Sequence, residues 1–464
     1  MCCWKVRKLV LFCALACMAG SAASMCADDA ALLNAKGYGA KERQEEGSPG
    51  RAPDLDTGSP QVQALAMIRE ALSRNGDLNS ASLNEQASVD ELKQSRASAL
   101  PRAIVGGSVY SVQQHADDRG TLRRNQATGS FSFSGVLYDG GTTSRLIDYR
   151  AELLKAARYN TQAQQEQVIV ETIAAALNRG RYLQHAIVYQ QYARKMSCLV
   201  DALTAIVGQD RGRASELVQA RKTQQQAELS RDLAMAQSRQ AEIRLRRVVG
   251  DGVRLGNGFA NLLAQVPSYE EMLFAVEQSG EVKRLLAQVE AGDRYADVIH
   301  ASSRPQLNWV VAAEHSKFGK VGSSSISAGV QMNYNLFDWG SSEASASAAT
   351  MRATAARRSY DEYVRTRIAK VSELIDVANS SFDRAKRYVD ILRDSDSVRN
   401  ATFQQWSQLG RRSLFDVMSS EGDHFNLRVA YVNALYDGYE ANTQIRSMGS
   451  GLGTWFGLPP VATP

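Results

Sequence analysis

Residues 325–336 read SISAGVQMNYNL, in which polar and apolar side chains alternate without a break. A period of two places successive side chains on opposite faces of a β-strand. Ser, Gly, Gln and Asn occupy one face of this stretch. The other face carries Ile326, Ala328, Val330, Met332, Tyr334 and Leu336. The stretch therefore predicts a long strand with one apolar face.

The same alternation recurs at 306–313 and 130–137, and a Gly-rich strand is predicted from Pro101 to Val112. A transmembrane strand needs roughly 9–11 residues, which is near these lengths. A half-buried sheet on a soluble core is the alternative, and the export signal described below favours the membrane. The side chains predicted to face lipid are Phe131, Phe133, Leu307, Trp309, Val330 and Met332.

Very long helices are predicted after each pair of strands. Residues 341–409 contain neither Pro nor Gly, and Thr142–Val207 is interrupted only by Gly180. At 1.5 Å per residue, the first of these stretches reaches roughly 100 Å as a single helix. A soluble coiled-coil spacer would explain the helices alone, but it would not explain the strands.

The chain repeats one plan, which predicts a mixed, mainly α fold. Residues 71–101 align without a gap to 275–305, so that Pro101 matches Pro305. Each half reads helix, two strands, very long helix, tight turn, long helix. The predicted repeats are 62–266 and 267–458, and polar loops are predicted at His115–Gln126 and Ser316–Gly322.

The N-terminus has the features of a signal peptide over residues 1–27. Lys5, Arg7 and Lys8 precede an uncharged run from Leu9 to Ala23, which is short for a membrane span. A permanent anchor and a lipid-modified cysteine are the alternatives. We expect a flexible arm at 28–61 and a short tail at 459–464. Cys198 is the only cysteine beyond residue 27.

Composition and motifs give no case for catalysis. The net charge is +5, and no basic cluster is dense enough to favour nucleic acid. The five histidines lack metal-ligand spacing. We therefore expect a protein that is not an enzyme, has no cofactor and no metal, and does not bind nucleic acid.

The arrangement resembles the TolC-like outer-membrane factor family over Val62–Leu458. The residues that carry the resemblance are the strand starts at Pro101 and Pro305, the aromatic-Asp-x-Gly strand ends at 138–141 and 337–340, and the helix tips at Gly212 and Gly410. The form LGRRSLFDV at 409–417 looks most like members that serve type I secretion.

The resemblance implies a homotrimer in the cell outer membrane, in which four strands per chain build a twelve-stranded barrel above a helical periplasmic tunnel. It also implies a periplasmic adaptor (membrane fusion protein) and an inner-membrane transporter of the ABC type as partners, and outer-membrane lipid around the strands. The residues that would dock the adaptor at the tips are Gly212, Arg213, Ser215, Gly410, Arg411 and Ser413.

A periplasmic gate is implied at the same tips. Asp416 falls on the family's acidic ring, whereas Ser419 stands where the family has a second acidic residue. Arg412 and Glu216 fall on a basic and an acidic position of different hairpins, where an ion pair would hold the tunnel shut. An ordinary solvated helix end is the alternative for all three.

The function expected from these features is a passive export duct. Type I protein secretion is favoured over small-molecule or multidrug efflux. A protein of another class, a periplasmic adaptor or structural protein built on long hairpins, is the second alternative. An adaptor would carry a compact β-rich domain, whereas this chain turns directly at Gly212 and Gly410.

Overall fold

The computed structural model describes residues 60–116, 120–252, 258–319, 321–408 and 410–458. The side chains of 114–116 and 120–124 are not among the described features. The predicted signal peptide at 1–27, the tail at 459–464 and all but the last two residues of the predicted arm lie outside the described residues.

The described elements follow the predicted order in both halves of the chain. A short helix precedes each copy of the plan, and a one-turn helix is the last described element. The helices are α1 (Pro60–Arg74), α2 (Gly76–Ala97), α3 (Thr142–Val207), α4 (Ala214–Val249), α5 (Tyr269–Glu277), α6 (Gly280–Ser302), α7 (Ser341–Ser407), α8 (Leu414–Met448) and α9 (Leu452–Trp455). The strands are β1 (Arg102–Ala116), β2 (Gly120–Tyr138), β3 (Gln306–Phe318) and β4 (Val321–Asn333), and short 3-10 turns lie at Arg211–Arg213 and Gly258–Ala264.

The four strands form one antiparallel sheet in the order β1-β2-β3-β4. The loops predicted at His115–Gln126 and Ser316–Gly322 were drawn too long, because the strands continue through most of both stretches. Gln113 still pairs with Arg123, and Lys317 with Gly322. Ladder hydrogen bonds join backbone groups and do not require apolar side chains, so polarity alone misplaced these strand ends.

The predicted strand end was also wrong at the opposite end of the sheet. β4 ends at Asn333, so Tyr334 and Leu336 lie beyond the strand that the alternation predicted. The two strand-to-helix junctions are capped in the same way, each by its own aspartate. Asp139 accepts hydrogen bonds from the backbone N–H groups of Gly141 and Thr143, and Asp338 accepts from those of Gly340 and Ser342. These carboxylates satisfy the first free donors of α3 and α7.

Both long helices form as the sequence predicts, with 66 residues in α3 and 67 in α7. Gly180 does not break α3. A Cβ at Gly180 would lie 2.7 Å from the hydroxyl oxygen of Tyr436, so the glycine lets α8 approach closely. Gly438 does the same for the ring of Phe382 on α7. Glycine inside these helices therefore serves packing between helices.

The described residues divide into two compact units, and each takes segments from both halves of the chain. The first unit comprises Val168–Tyr269, Val371–Arg446 and the described part of Met1–Arg74, and the second comprises Asn75–Gln167, Glu270–Lys370 and the described part of Ser447–Pro464. The units therefore do not follow the predicted division of the chain at residue 267. The first unit contains both hairpin tips, and the second contains the sheet.

Within the second unit, two charged side chains hold the C-terminal segment. Glu166 accepts hydrogen bonds from the backbone N–H groups of Leu452 at 2.6 Å and Gly453 at 3.1 Å, at the start of α9. The Arg367 Nε donates to the carbonyl of Met448 at 3.0 Å, at the end of α8. Burial raises the pKa of the Glu166 carboxyl, while the two backbone donors act in the opposite direction. Among the described residues, no helix combines the length and the apolar character needed to cross a membrane.

Candidate functional site

The six side chains predicted to face lipid share one face of the sheet. Residues paired across neighbouring antiparallel strands point to the same side. Phe133 pairs with Val311, Trp309 pairs with Val330, and Leu307 pairs with Met332. Phe131 lies two residues from Phe133, so all six positions fall on this apolar face.

An aromatic contact fills the middle of the apolar face. The rings of Phe133 and Trp309 meet edge to face with their centroids 5.0 Å apart. Gly135 pairs with Trp309, and a Cβ at Gly135 would lie 2.7 Å from the indole nitrogen. The indole thus covers a glycine that has no side chain of its own to present.

The opposite face of the sheet is largely polar. It carries Ser130, Ser132 and Ser134 on β2, and Ser325, Ser327 and Gln331 on β4. A sheet with one continuous apolar face and one polar face suits a boundary between lipid and water.

The two helix tips lie at the end of one apolar core in the first unit. The tip between α3 and α4 carries Gly212, and the tip between α7 and α8 carries Gly410. Below them, Leu203 of α3, Leu217 of α4 and Leu414 of α8 are buried together, and Phe403 and Trp406 of α7 pack against them. All four helix ends therefore meet at one place, which brings the tip residues predicted from sequence together.

Asp210 shapes the first tip. Its Oδ1 accepts a hydrogen bond from the backbone N–H of Gly212 at 3.0 Å, which caps the short turn at Arg211–Arg213. Arg211 and Ser215 are exposed, and Arg213 is half-buried. Helix α4 then begins at Ala214 without a side-chain cap.

A reciprocal cap shapes the second tip. The Ser413 backbone N–H donates to Oδ2 of Asp416 at 3.1 Å, and the Asp416 N–H donates to the Ser413 hydroxyl oxygen at 3.2 Å. This is the capping-box arrangement, with an aspartate in place of glutamate or glutamine. Gly410 precedes it with a φ of 60°, which favours glycine. Asp416 thus has a structural role beyond the charge predicted for the gate.

The ion pair predicted between Arg412 and Glu216 is not formed within the chain. The Arg412 Nε instead donates to Oε1 of Gln405 at 3.2 Å, on the last turns of α7. Oε2 of Glu216 is buried and accepts no hydrogen bond among the described residues. Both residues lie at the tips as predicted, but the arginine turns towards its own hairpin, where an amide acceptor is within reach.

Sequence reasoning missed a buried charge cluster close to the tips. Arg399 of α7 lies 3.3 Å from Glu421 of α8, and the amine of Lys195 on α3 lies 3.9 Å from the same carboxylate. Burial raises the pKa of the Glu421 carboxyl, although both cations act against it. Burial also lowers the pKa of the nearby His424 imidazole to about 4. The signal in the sequence is that Glu421 continues the helical spacing of Leu414, Val417 and Met418, where another apolar residue is expected.

Comparison with known proteins agrees with this architecture. Residues 275–450 match the family model described as outer membrane efflux protein. The predicted resemblance is confirmed. The chain has a TolC-like fold. No curated protein sequence matches the chain.

Solved structures share the TolC-like fold over most of the chain at low sequence identity. A structure of CusC, described in terms of folding and transmembrane channel formation, has a TM-score of 0.73 and 13% identity, and covers 88% of this chain and 99% of its own. The CmeC outer membrane channel of Campylobacter jejuni has a TM-score of 0.73 and 14% identity, and covers 92% and 95%. A membrane protein from Pseudomonas aeruginosa has a TM-score of 0.74 and 16% identity, and covers 88% and 99%.

Proposed function

We propose that this chain is the outer-membrane duct of a tripartite export system and that it works as a homotrimer. The observation that carries the proposal is the sheet, which has one apolar face and two outer strands, β1 and β4. Unpaired strand edges are not tolerated in hydrocarbon. Four strands do not close a barrel, since bacterial barrels have about 8 or more, whereas three copies supply about 12.

The proposed cargo is small molecules. The description of the matching family, outer membrane efflux protein, supports efflux over the type I secretion that the sequence favoured. Type I secretion stays as the second candidate, because the tip sequence at 409–417 resembles members that serve it. The duct itself is passive in both cases.

A periplasmic adaptor is the proposed partner at the tips. The surface that would receive it comprises Gly212, Arg213 and Ser215 at the first tip, and Gly410, Arg411 and Ser413 at the second. An inner-membrane transporter would complete the export path, and an ABC transporter fits the secretion candidate. The alternative, in which the chain is itself a periplasmic adaptor or structural protein, predicts recovery of the chain in the soluble periplasm.

The first experiment tests the duct. The full-length protein is fractionated, purified in detergent, weighed by light scattering and added to planar lipid bilayers. We expect recovery with the outer membrane, a protein mass of three chains and stepwise ion conductance. Recovery in the soluble periplasm as a monomer without conductance would refute the proposal.

The second experiment tests the cargo. The coding region is deleted from the native cell, and both susceptibility to toxic small molecules and the proteins of the culture medium are measured. Greater susceptibility with an unchanged set of secreted proteins supports efflux. Loss of a secreted protein with unchanged susceptibility supports type I secretion instead. Expression of the intact chain from a plasmid should reverse either effect.

A further inference from the structure

Four arginines are concentrated at the two tips. Arg211, Arg411 and Arg412 are exposed and Arg213 is half-buried. Among the described residues, none of the four forms an ion pair with a carboxylate. The side-chain partner of Arg412 is the neutral amide of Gln405. Direct contacts with the described part of the chain therefore leave their charges uncompensated.

The acidic groups of the tips are engaged differently. Asp210 accepts from the backbone of Gly212, and Asp416 accepts from the backbone of Ser413. Glu216 has one carboxylate oxygen buried. Asp210 is exposed while Asp416 and Glu216 are half-buried, whereas three of the four arginines are exposed.

The balance of charge around the tips is basic. Residues 200–222 and 400–420 contain six basic and four acidic side chains. The basic ones are Arg211, Arg213, Arg221, Lys222, Arg411 and Arg412, and the acidic ones are Asp201, Asp210, Glu216 and Asp416. Three copies that meet at one mouth would triple this excess of positive charge.

We propose that the tips form an anion-selective mouth, in which exposed arginines attract small anions and anionic cargo. The inference rests on the proposed duct and reverses the cation preference that an Asp416 ring would give. Rings of Arg or Lys select anions in pores, as rings of Asp or Glu select cations. Exposed charges are screened over about 10 Å at 0.1 M salt, so the preference should weaken as salt rises.

The test is the reversal potential of purified trimers in planar bilayers under a potassium chloride gradient. The wild-type channel should prefer chloride, most clearly at low salt. The double variant Arg411→Ser/Arg412→Ser should lose most of that preference, and Asp416→Asn should strengthen it. Lys386→Ser removes a charge that is 80% exposed on α7, away from the tips, and should leave the potential unchanged.

Two results would overturn the inference while leaving the duct intact. One is a wild-type channel that prefers potassium. The other is a double variant with the trimeric mass and the reversal potential of the wild type. Absence of conductance in every variant, including the wild type, would instead refute the duct, so the two proposals fail in distinguishable ways.

Discussion

Arg399 and Glu421 form an ion pair at 3.3 Å in which neither residue is more than 8% exposed. It joins α7 to α8, and Lys195 of α3 approaches the same carboxylate. A buried charge whose partner is removed costs several kcal/mol, because it stays desolvated without compensation. The packing of α3, α7 and α8 at this place therefore depends on the charges of Lys195, Arg399 and Glu421.

Glu421→Leu should lower the free energy of unfolding, but by less than the roughly 3–5 kcal/mol of a fully unpaired buried charge, because Asp396 still pairs with Arg399 at 2.6 Å. The double variant Arg399→Met/Glu421→Leu should be more stable than the single one. Denaturant melts of the purified protein measure both. Equal stability of the single and double variants would contradict this reading of the pair.

His424 should make the protein less stable in mild acid. Burial lowers the pKa of its imidazole to about 4, and the charges of Arg399 and Arg428 add to the effect, whereas Asp396 opposes it. Between pH about 6.5 and 4, His424 is protonated in the unfolded chain but not in the folded chain. Stability therefore falls as pH falls through this window.

The comparison that isolates this effect is between the wild type and His424→Gln. The Glu421 carboxyl has a raised pKa, so it contributes a slope of the opposite sign to both proteins. The thermal unfolding midpoint should therefore fall further between pH 7 and pH 5 in the wild type than in the variant. An equal fall in both proteins would show that His424 binds a proton as readily in the folded protein as in the unfolded chain.

Gly180→Ala should destabilise the protein, although alanine is the better helix former by about 1 kcal/mol. The added Cβ would lie 2.7 Å from the Tyr436 hydroxyl oxygen and 3.2 Å from its nearest ring carbon. In a Tyr436→Phe background the hydroxyl is absent, so the alanine should cost much less. Additive effects of the two changes, measured by thermal melting, would rule out the contact as the cause.

Trp339 and Gly140 should respond differently to substitution. They occupy the same place in the two strand-to-helix junctions, and both have a positive φ, 56° and 67°. Trp339 is 89% exposed, and its ring meets that of Phe337 edge to face with the centroids 4.7 Å apart. Trp339→Gly removes a left-handed penalty of about 1–2 kcal/mol, but it loses about 0.5–1.5 kcal/mol of ring contact and costs about 0.5–1 kcal/mol of glycine entropy, so it should be close to neutral.

Gly140→Ala should be clearly harmful, because a Cβ there lies 2.6 Å from Cβ of Arg304 and 3.0 Å from the Ala301 carbonyl oxygen. Unfolding free energies of the two variants make the comparison. A destabilised Trp339→Gly together with a neutral Gly140→Ala would show that the two junctions are constrained in the reverse manner.

The strand faces can be tested with neighbouring lysines on β4. Val330 pairs with Trp309 on the apolar face, and Gln331 pairs with Asn308 on the polar face. Lysine in the middle of hydrocarbon costs about 2–4 kcal/mol per chain, so Val330→Lys should impair trimer assembly in the outer membrane. Gln331→Lys is the matched control and should assemble. Equal yields of both trimers would mean that the apolar face does not meet lipid.

Features encoded by local periodicity were predictable from the sequence. The alternation at 306–313 and 325–333 fixed which side chains share a face, since a strand cannot shift by one residue without exchanging its faces. The absence of Pro and Gly from 341–409 predicted α7 to within two residues of its end. Both predictions depend only on neighbours along the chain.

Strand ends and charge partners were decided by tertiary structure. The polar stretch at 113–126 is mostly strand because a neighbouring backbone offers hydrogen-bond partners, which no side-chain pattern records. Asp416 caps α8 and Arg412 binds Gln405, although the sequence equally allowed a charged ring and an ion pair. The buried cluster at Lys195, Arg399 and Glu421 exists only because α3 packs against α7 and α8, which lie far from it along the chain. A period in the sequence tells which face of an element is apolar, but only packing determines what that face meets.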